Sequence, residues 1–182
     1  KQEKTYADTD KRMYVPFYGE SYENAGCLDL GCIFIPEDDT EGDGTVMISG
    51  IDINSPESAV SSAAVSGYSG DIYCTADSLY IQQVSYSGET DWNGSKTTFS
   101  KFALANGVIS PVASGTVNGT VLNQFSMDEY NGYFRTATTS YEKLIDGEWN
   151  YQPSNNVFVL DEGMNVIGSI TDIAPDETIK IA

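Results

Sequence analysis

The sequence predicts an all-β fold of antiparallel four-stranded meanders, about two and a half blades of a β-propeller. Three observations predict it. No long stretch carries the apolar rhythm of an amphipathic helix. Short runs rich in Val, Ile, Tyr, Phe and Thr recur between clusters of Gly, Asn, Asp and Ser, which is how strands and their turns read. These runs also repeat with a period of a little over fifty residues.

Residues 1–43 show little of that rhythm and read as an irregular arm whose only strand is "CIFI" at 32–35. The partial propeller occupies 44–182. Its strands are expected at 45–53, 59–66, 71–76, 78–85, 97–104, 108–117, 121–130, 132–139, 156–162 and 165–171, each a β-rich run bounded by turn residues.

"FALANGVISPVASG" at 102–115 is echoed by "FVLDEGMNVIGSIT" at 158–171, and more faintly by "ISGIDINSPESAVSSAAVSG" at 48–67. The two strands before each later copy also match. Tyr80 aligns with Phe134 and Leu104 with Leu160, 54 and 56 residues apart. The units are therefore a half blade at 45–66, a blade at 71–117, a blade at 121–171 and the start of another at 178–182. A repeat of this kind cannot bury its apolar faces alone, so open blade edges imply self-association or a longer parent chain. A two-sheet sandwich is the structural alternative.

Composition narrows function more by exclusion than by assignment. With 27 acidic and 9 basic residues the net charge is −18, which repels phosphate backbones and excludes nucleic acid as a natural partner. No run approaches a membrane span, so no membrane insertion is expected. Histidine is absent, which removes Ser-His-Asp and Cys-His nucleophile systems and the HExxH metal helix. Cys27 and Cys32 are close enough in sequence for a small disulfide loop, with free thiols as the alternative, and Cys74 in "DIYCTAD" reads as a buried thiol.

"LNQFSMDEYNGYFRTATT" (122–139), "NNVFVLDEGMNVIGSI" (155–170) and "IAPDETIKIA" (173–182) carry a family resemblance, joined by "YVPFY" at 14–18. In these stretches the chain resembles a family of secreted bacterial and archaeal proteins with a C-terminal β-propeller distantly related to WD40 repeats. The resemblance implies a secreted or cell-surface location, further strands beyond both ends, and no catalytic residues to carry over. The family usually has glycine where Asp176 stands here.

Two candidate sites follow from the residues themselves. Asp39, Glu41 and Asp43 alternate as at the start of a calcium loop, but the twelfth position, which should supply a bidentate carboxylate, is Gly50. No cofactor is therefore expected beyond weak calcium binding there. Trp92 and Trp149 fall in equivalent connections between the second and third strands of their units, each followed by an asparagine, Asn93 and Asn150. With Tyr151 they suggest a surface for a protein or carbohydrate ligand, because such rings combine apolar area with a polar edge. The alternative is that each Trp covers the rim of its own blade. The expected function is a non-catalytic binding or scaffold module. An extracellular carbohydrate hydrolase with paired carboxylates on one propeller face is the alternative.

The acidic pair Asp128–Glu129 precedes Asn131-Gly132, the strongest short hairpin signal. A two-residue type I′ turn there sets Tyr130 opposite Tyr133, Glu129 opposite Phe134 and Asp128 opposite Arg135. Phe125, Met127 and Phe134 then share one face.

Overall fold

The computed structural model describes residues 12, 15–19, 21–36, 44–56, 59–67, 69–86, 94–141, 143–145, 148–150 and 152–180. Its core is three stacked sheets. The first contains β3 (Ile33–Phe34), β4 (Thr45–Ile51) and β5 (Ala59–Ser66), in the order β3-β5-β4. The second is the four-stranded meander β6 (Ile72–Cys74), β7 (Ser78–Tyr86), β8 (Ser95–Ala105) and β9 (Val108–Asn118). The third contains β10 (Thr120–Val121), β11 (Met127–Tyr130), β12 (Tyr133–Ser140), β15 (Ser154–Leu160) and β16 (Val166–Ile173). Inserted between β12 and β15 is a small hairpin of β13 (Lys143–Ile145) and β14 (Glu148–Asn150).

Alternation along the middle meander explains the stacking, since successive side chains of a strand leave on opposite faces. Tyr80, Phe99 and Val117 pack with Met127, Phe134, Phe158, Leu160 and Met164 of the third sheet. Ile81 and Phe102 leave the other face and pack with Ala63 and Val65 of the first. Tyr80, Ile81, Phe99 and Phe102 are all fully buried. A sheet dry on both faces between two other sheets is how propeller blades stack, whereas a two-sheet sandwich has no middle layer.

Two glycines set the distance between sheets. A Cβ on Gly50 would lie 1.9 Å from the Gly107 carbonyl oxygen, and one on Gly115 would lie 2.1 Å from that of Met164. In each case the turn joining the third and fourth strands of one blade presses against the preceding sheet. The first of these contacts is fastened by Ser61, whose hydroxyl donates to the Gly107 carbonyl at 3.0 Å and accepts from the Ile109 N–H at 2.9 Å.

Several expectations are corrected. The strand expected at 121–130 is broken: Asn123 accepts from the Phe125 N–H through its side chain, a 3-10 turn covers Gln124–Ser126, and Phe125 is 71% exposed instead of sharing the buried face of Met127 and Phe134. Cys74 is exposed, not buried, because it faces the first sheet, whose described strands do not cover the short edge strand β6. Cys27 and Cys32, whose pairing the sequence left open, are both free thiols, so no expectation is overturned there. The arm is less irregular than expected: β1 (Phe17–Tyr18) pairs antiparallel with β2 (Gly26–Cys27), and β3 pairs parallel with β5. Finally, the rings aligned by the repeat, Tyr80 and Phe134, lie on opposite faces of their sheets. The registers pair Cys74 with Leu79 and Tyr130 with Tyr133, which sets the two hairpin turns 55 residues apart, so the 54-residue alignment is one residue off and that slip reverses the face.

Candidate functional site

The expected hairpin register is present in full, with Tyr130 paired with Tyr133, Glu129 with Phe134 and Asp128 with Arg135. Asn131 and Gly132 have φ of 53° and 81°, as a type I′ turn requires. Arg135 forms an ion pair with Asp128 and its guanidinium lies 5.2 Å from the Tyr130 ring centre. Asp128 is thus a surface partner in a cross-strand pair.

Glu129 points the other way, into the joint between the second and third sheets. Its Oε2 accepts from the Tyr80 hydroxyl at 2.8 Å, and its backbone N–H donates to the Tyr73 hydroxyl at 3.2 Å. Tyr80 stacks on Phe134 with ring centres 4.3 Å apart and planes 19° from parallel, while Phe99 meets Phe134 at 4.9 Å. The Lys101 ammonium sits 5.5 Å from the Tyr80 ring centre, from the opposing position on β8. Burial first, and the Glu129 carboxylate second, hold the Tyr80 hydroxyl protonated well above the ordinary tyrosine range. This arrangement clamps one blade to the next and leaves the carboxylate engaged. Nothing in "DIYCTADSLYIQQ" marked Glu129, about fifty residues on, as a partner of Tyr73 and Tyr80.

At the end of the blade beyond this joint, Asn131, Gly132, Tyr133, Asp161, Glu162 and Gly163 line an open cleft of about 300 Å³. Asp161 holds its far wall by accepting from the Asn165 N–H at 2.8 Å and from the Asn165 side-chain amide at 3.1 Å. Met164, with φ of 62° and its side chain buried, anchors the same turn. One aromatic ring, two carboxylates and two turn backbones make the cleft polar.

The tryptophan site is only partly in view. Trp149 and Asn150 lie on β14, where Leu144 pairs with Trp149, so this connection is a hairpin and not a plain loop. Trp92, Asn93 and Tyr151 lie outside the described residues, as do Asp39, Glu41 and Asp43. The start of β8 and the end of β12, which flank the two connections, both bond to the end of β9 and the residue after it: the Thr138 hydroxyl donates to the Asn118 carbonyl, and the Gly119 N–H donates to the Ser95 carbonyl. Among the described residues no three His, Cys, Asp or Glu side chains gather as a metal-binding group, and no helix is long and apolar enough to cross a membrane.

Comparison with known proteins adds the following. The family model described as "Beta propeller domain" matches residues 1–182. An uncharacterized protein of Methanocaldococcus jannaschii is 44% identical over 70 residues, 37% of this chain and 10% of its own length. An uncharacterized protein of Archaeoglobus fulgidus is 39% identical over 84 residues, 46% of this chain and 12% of its own. The matched stretch thus spans about a tenth of these archaeal relatives. No solved structure matches the chain.

Proposed function

This chain belongs to the β-propeller domain family, and on that premise we propose that it is a non-catalytic binding or scaffold module, part of a secreted or cell-surface protein. The observation that carries the reading is the position of Glu129. Of the suspicious acidic pair, Asp128 is paired with Arg135 on the surface and Glu129 is held between two tyrosines at a blade joint. Neither is placed as a free acid or base beside a substrate. What the blades offer to a partner lies at their ends. One end has the cleft between Asn131 and Glu162, and the other has the connections bearing Trp92 and Trp149.

The ligand class is a protein segment or an oligosaccharide, bound by ring faces and edge amides at Trp92, Asn93, Trp149, Asn150 and Tyr151. The module works without a cofactor. Peptide and glycan arrays test this directly. Capture lost in Trp92→Ala and Trp149→Ala but retained in Asp161→Asn and Glu162→Gln supports the module. Hydrolysis of a captured glycan that disappears with a single Asp or Glu substitution overturns it in favour of an enzyme.

A further inference from the structure

At each joint between sheets, one peptide group is held from both sides. At the first joint the Gln83 side-chain amide donates to the Ser66 carbonyl at 2.6 Å, and the N–H of that peptide group, on Gly67, donates to the Gly44 carbonyl at 2.8 Å. At the second joint the Thr138 hydroxyl donates to the Asn118 carbonyl at 2.7 Å, and the Gly119 N–H donates to the Ser95 carbonyl at 2.7 Å. Gln83 and Thr138 are 55 residues apart, the interval between the first hairpins of their blades. Each faces the preceding blade, Gln83 on the side of Ile81 and Thr138 on the side of Phe134, and both are buried. The glycine has φ of 102° at 67 and 89° at 119, a conformation that a side chain disfavours. Among the described residues the Gln83 Oε1 has no hydrogen-bond partner, so the joint uses that amide for its donor alone.

The second latch stands at the end of the blades where ligand capture is proposed. The connection 87–94, which bears Trp92, enters β8 at Ser95, and the connection 141–153, which bears Trp149, leaves β12 after Ser140, two residues beyond Thr138. The peptide group between Asn118 and Gly119 thus links the base of one connection to the base of the next through two hydrogen bonds. The Thr97 hydroxyl reinforces the link by donating to the Gly119 carbonyl at 2.6 Å. We propose that Thr138 is a positioning residue for ligand capture: it holds the two tryptophan-bearing connections in register, so that they grip one extended ligand together and neither retains it alone. Gln83, near the end of β7, fixes the departure of the 87–94 connection in the same way through the first joint. This rests on the reading of the tryptophan end as the binding surface.

Thr138→Val keeps the shape of the side chain and removes the donor, and Thr138→Ser restores it. Amide exchange followed by NMR should run about tenfold faster at Gly119 in Thr138→Val, stay unchanged at Phe99 in the same sheet, and return to the wild-type rate in Thr138→Ser. On peptide and glycan arrays Thr138→Val should lose capture as fully as Trp149→Ala does, while Thr138→Ser retains it. Gln83→Met, read at Gly67 and on the same arrays, is the second variant if Thr138→Val does not fold. Exchange that is unchanged at Gly119, or that rises equally at Phe99, overturns the latch. Faster exchange at Gly119 with capture intact overturns the positioning role, since each connection then binds by itself. A wild-type chain that captures nothing overturns the tryptophan end as a binding surface and the positioning role with it, while exchange at Gly119 still reports on the latch, so the two failures are told apart.

Discussion

Replacing Tyr80 with Phe isolates the polar half of the blade joint. The ring stays, so the stack on Phe134 and the full burial of position 80 are preserved, and only the hydroxyl donating to Glu129 Oε2 at 2.8 Å is removed. The carboxylate then loses its donor inside a joint where water has poor access. A hydrogen bond to a charged group contributes about 1.5–3 kcal/mol. With a urea m-value of about 2 kcal/mol/M for a domain of this size, the denaturation midpoint should fall by about 1 M. Tyr130→Phe, at an exposed ring, is the matched control and should leave the midpoint in place. Combining Tyr80→Phe with Glu129→Ala should cost clearly less than the sum of the single changes, since both remove the same bond. A midpoint shift for Tyr80→Phe as small as the control's would refute the clamp.

The remaining predictions concern titration, packing and backbone. Because the folded state keeps the Tyr80 proton above its unfolded value, this group's contribution is fully present below a pH of about 10 and is lost as pH rises through the folded value, so the stability gap between wild type and Tyr80→Phe should narrow in alkaline urea titrations. Gly115→Ala should destabilise strongly in the same assay, because its Cβ would meet the Met164 carbonyl at 2.1 Å and neither backbone can yield cheaply; an unchanged midpoint would place that turn elsewhere. Arg135→Glu should cost only about 0.5 kcal/mol by thermal melting, given a pair roughly half exposed, and no loss at all would count against the register. Asp176→Gly should raise stability by about 1 kcal/mol, because Asp176 has φ of 69° in the left-handed region and a side chain there is strained.

That last position shows what kind of information the sequence carried. The resemblance marked 176 as a glycine position, and the backbone shows why. Asp172, Ala174 and Asp176 all have positive φ as the chain leaves β16, and the Asp176 N–H is tied to the Pro153 carbonyl at 2.8 Å. Local rules were read well where one dipeptide decides the geometry. Asn131-Gly132 fixed a four-pair register, and alternation then placed Met127 and Phe134 inside. They failed at Phe125, where an Asn123 cap outweighs the ring's preference for a strand. They failed at Cys74 too, because burial of an edge strand depends on what the neighbouring sheet supplies. Glu129 illustrates the harder limit. Its orientation followed from the register, but its tyrosine partners lie about fifty residues earlier in another blade, and a contact of that range leaves no local pattern.

Packing of the middle meander on both of its faces is tested most directly by proton–proton NMR cross-peaks between aromatic rings. It predicts cross-peaks from Tyr80 to Phe134 on one side, with ring centres 4.3 Å apart, and from Phe102 to Phe34 on the other, at 6.0 Å. Cross-peaks on one side only, with the second face of β7 and β8 exchanging freely with water, would describe a two-sheet sandwich and contradict the stacked blades.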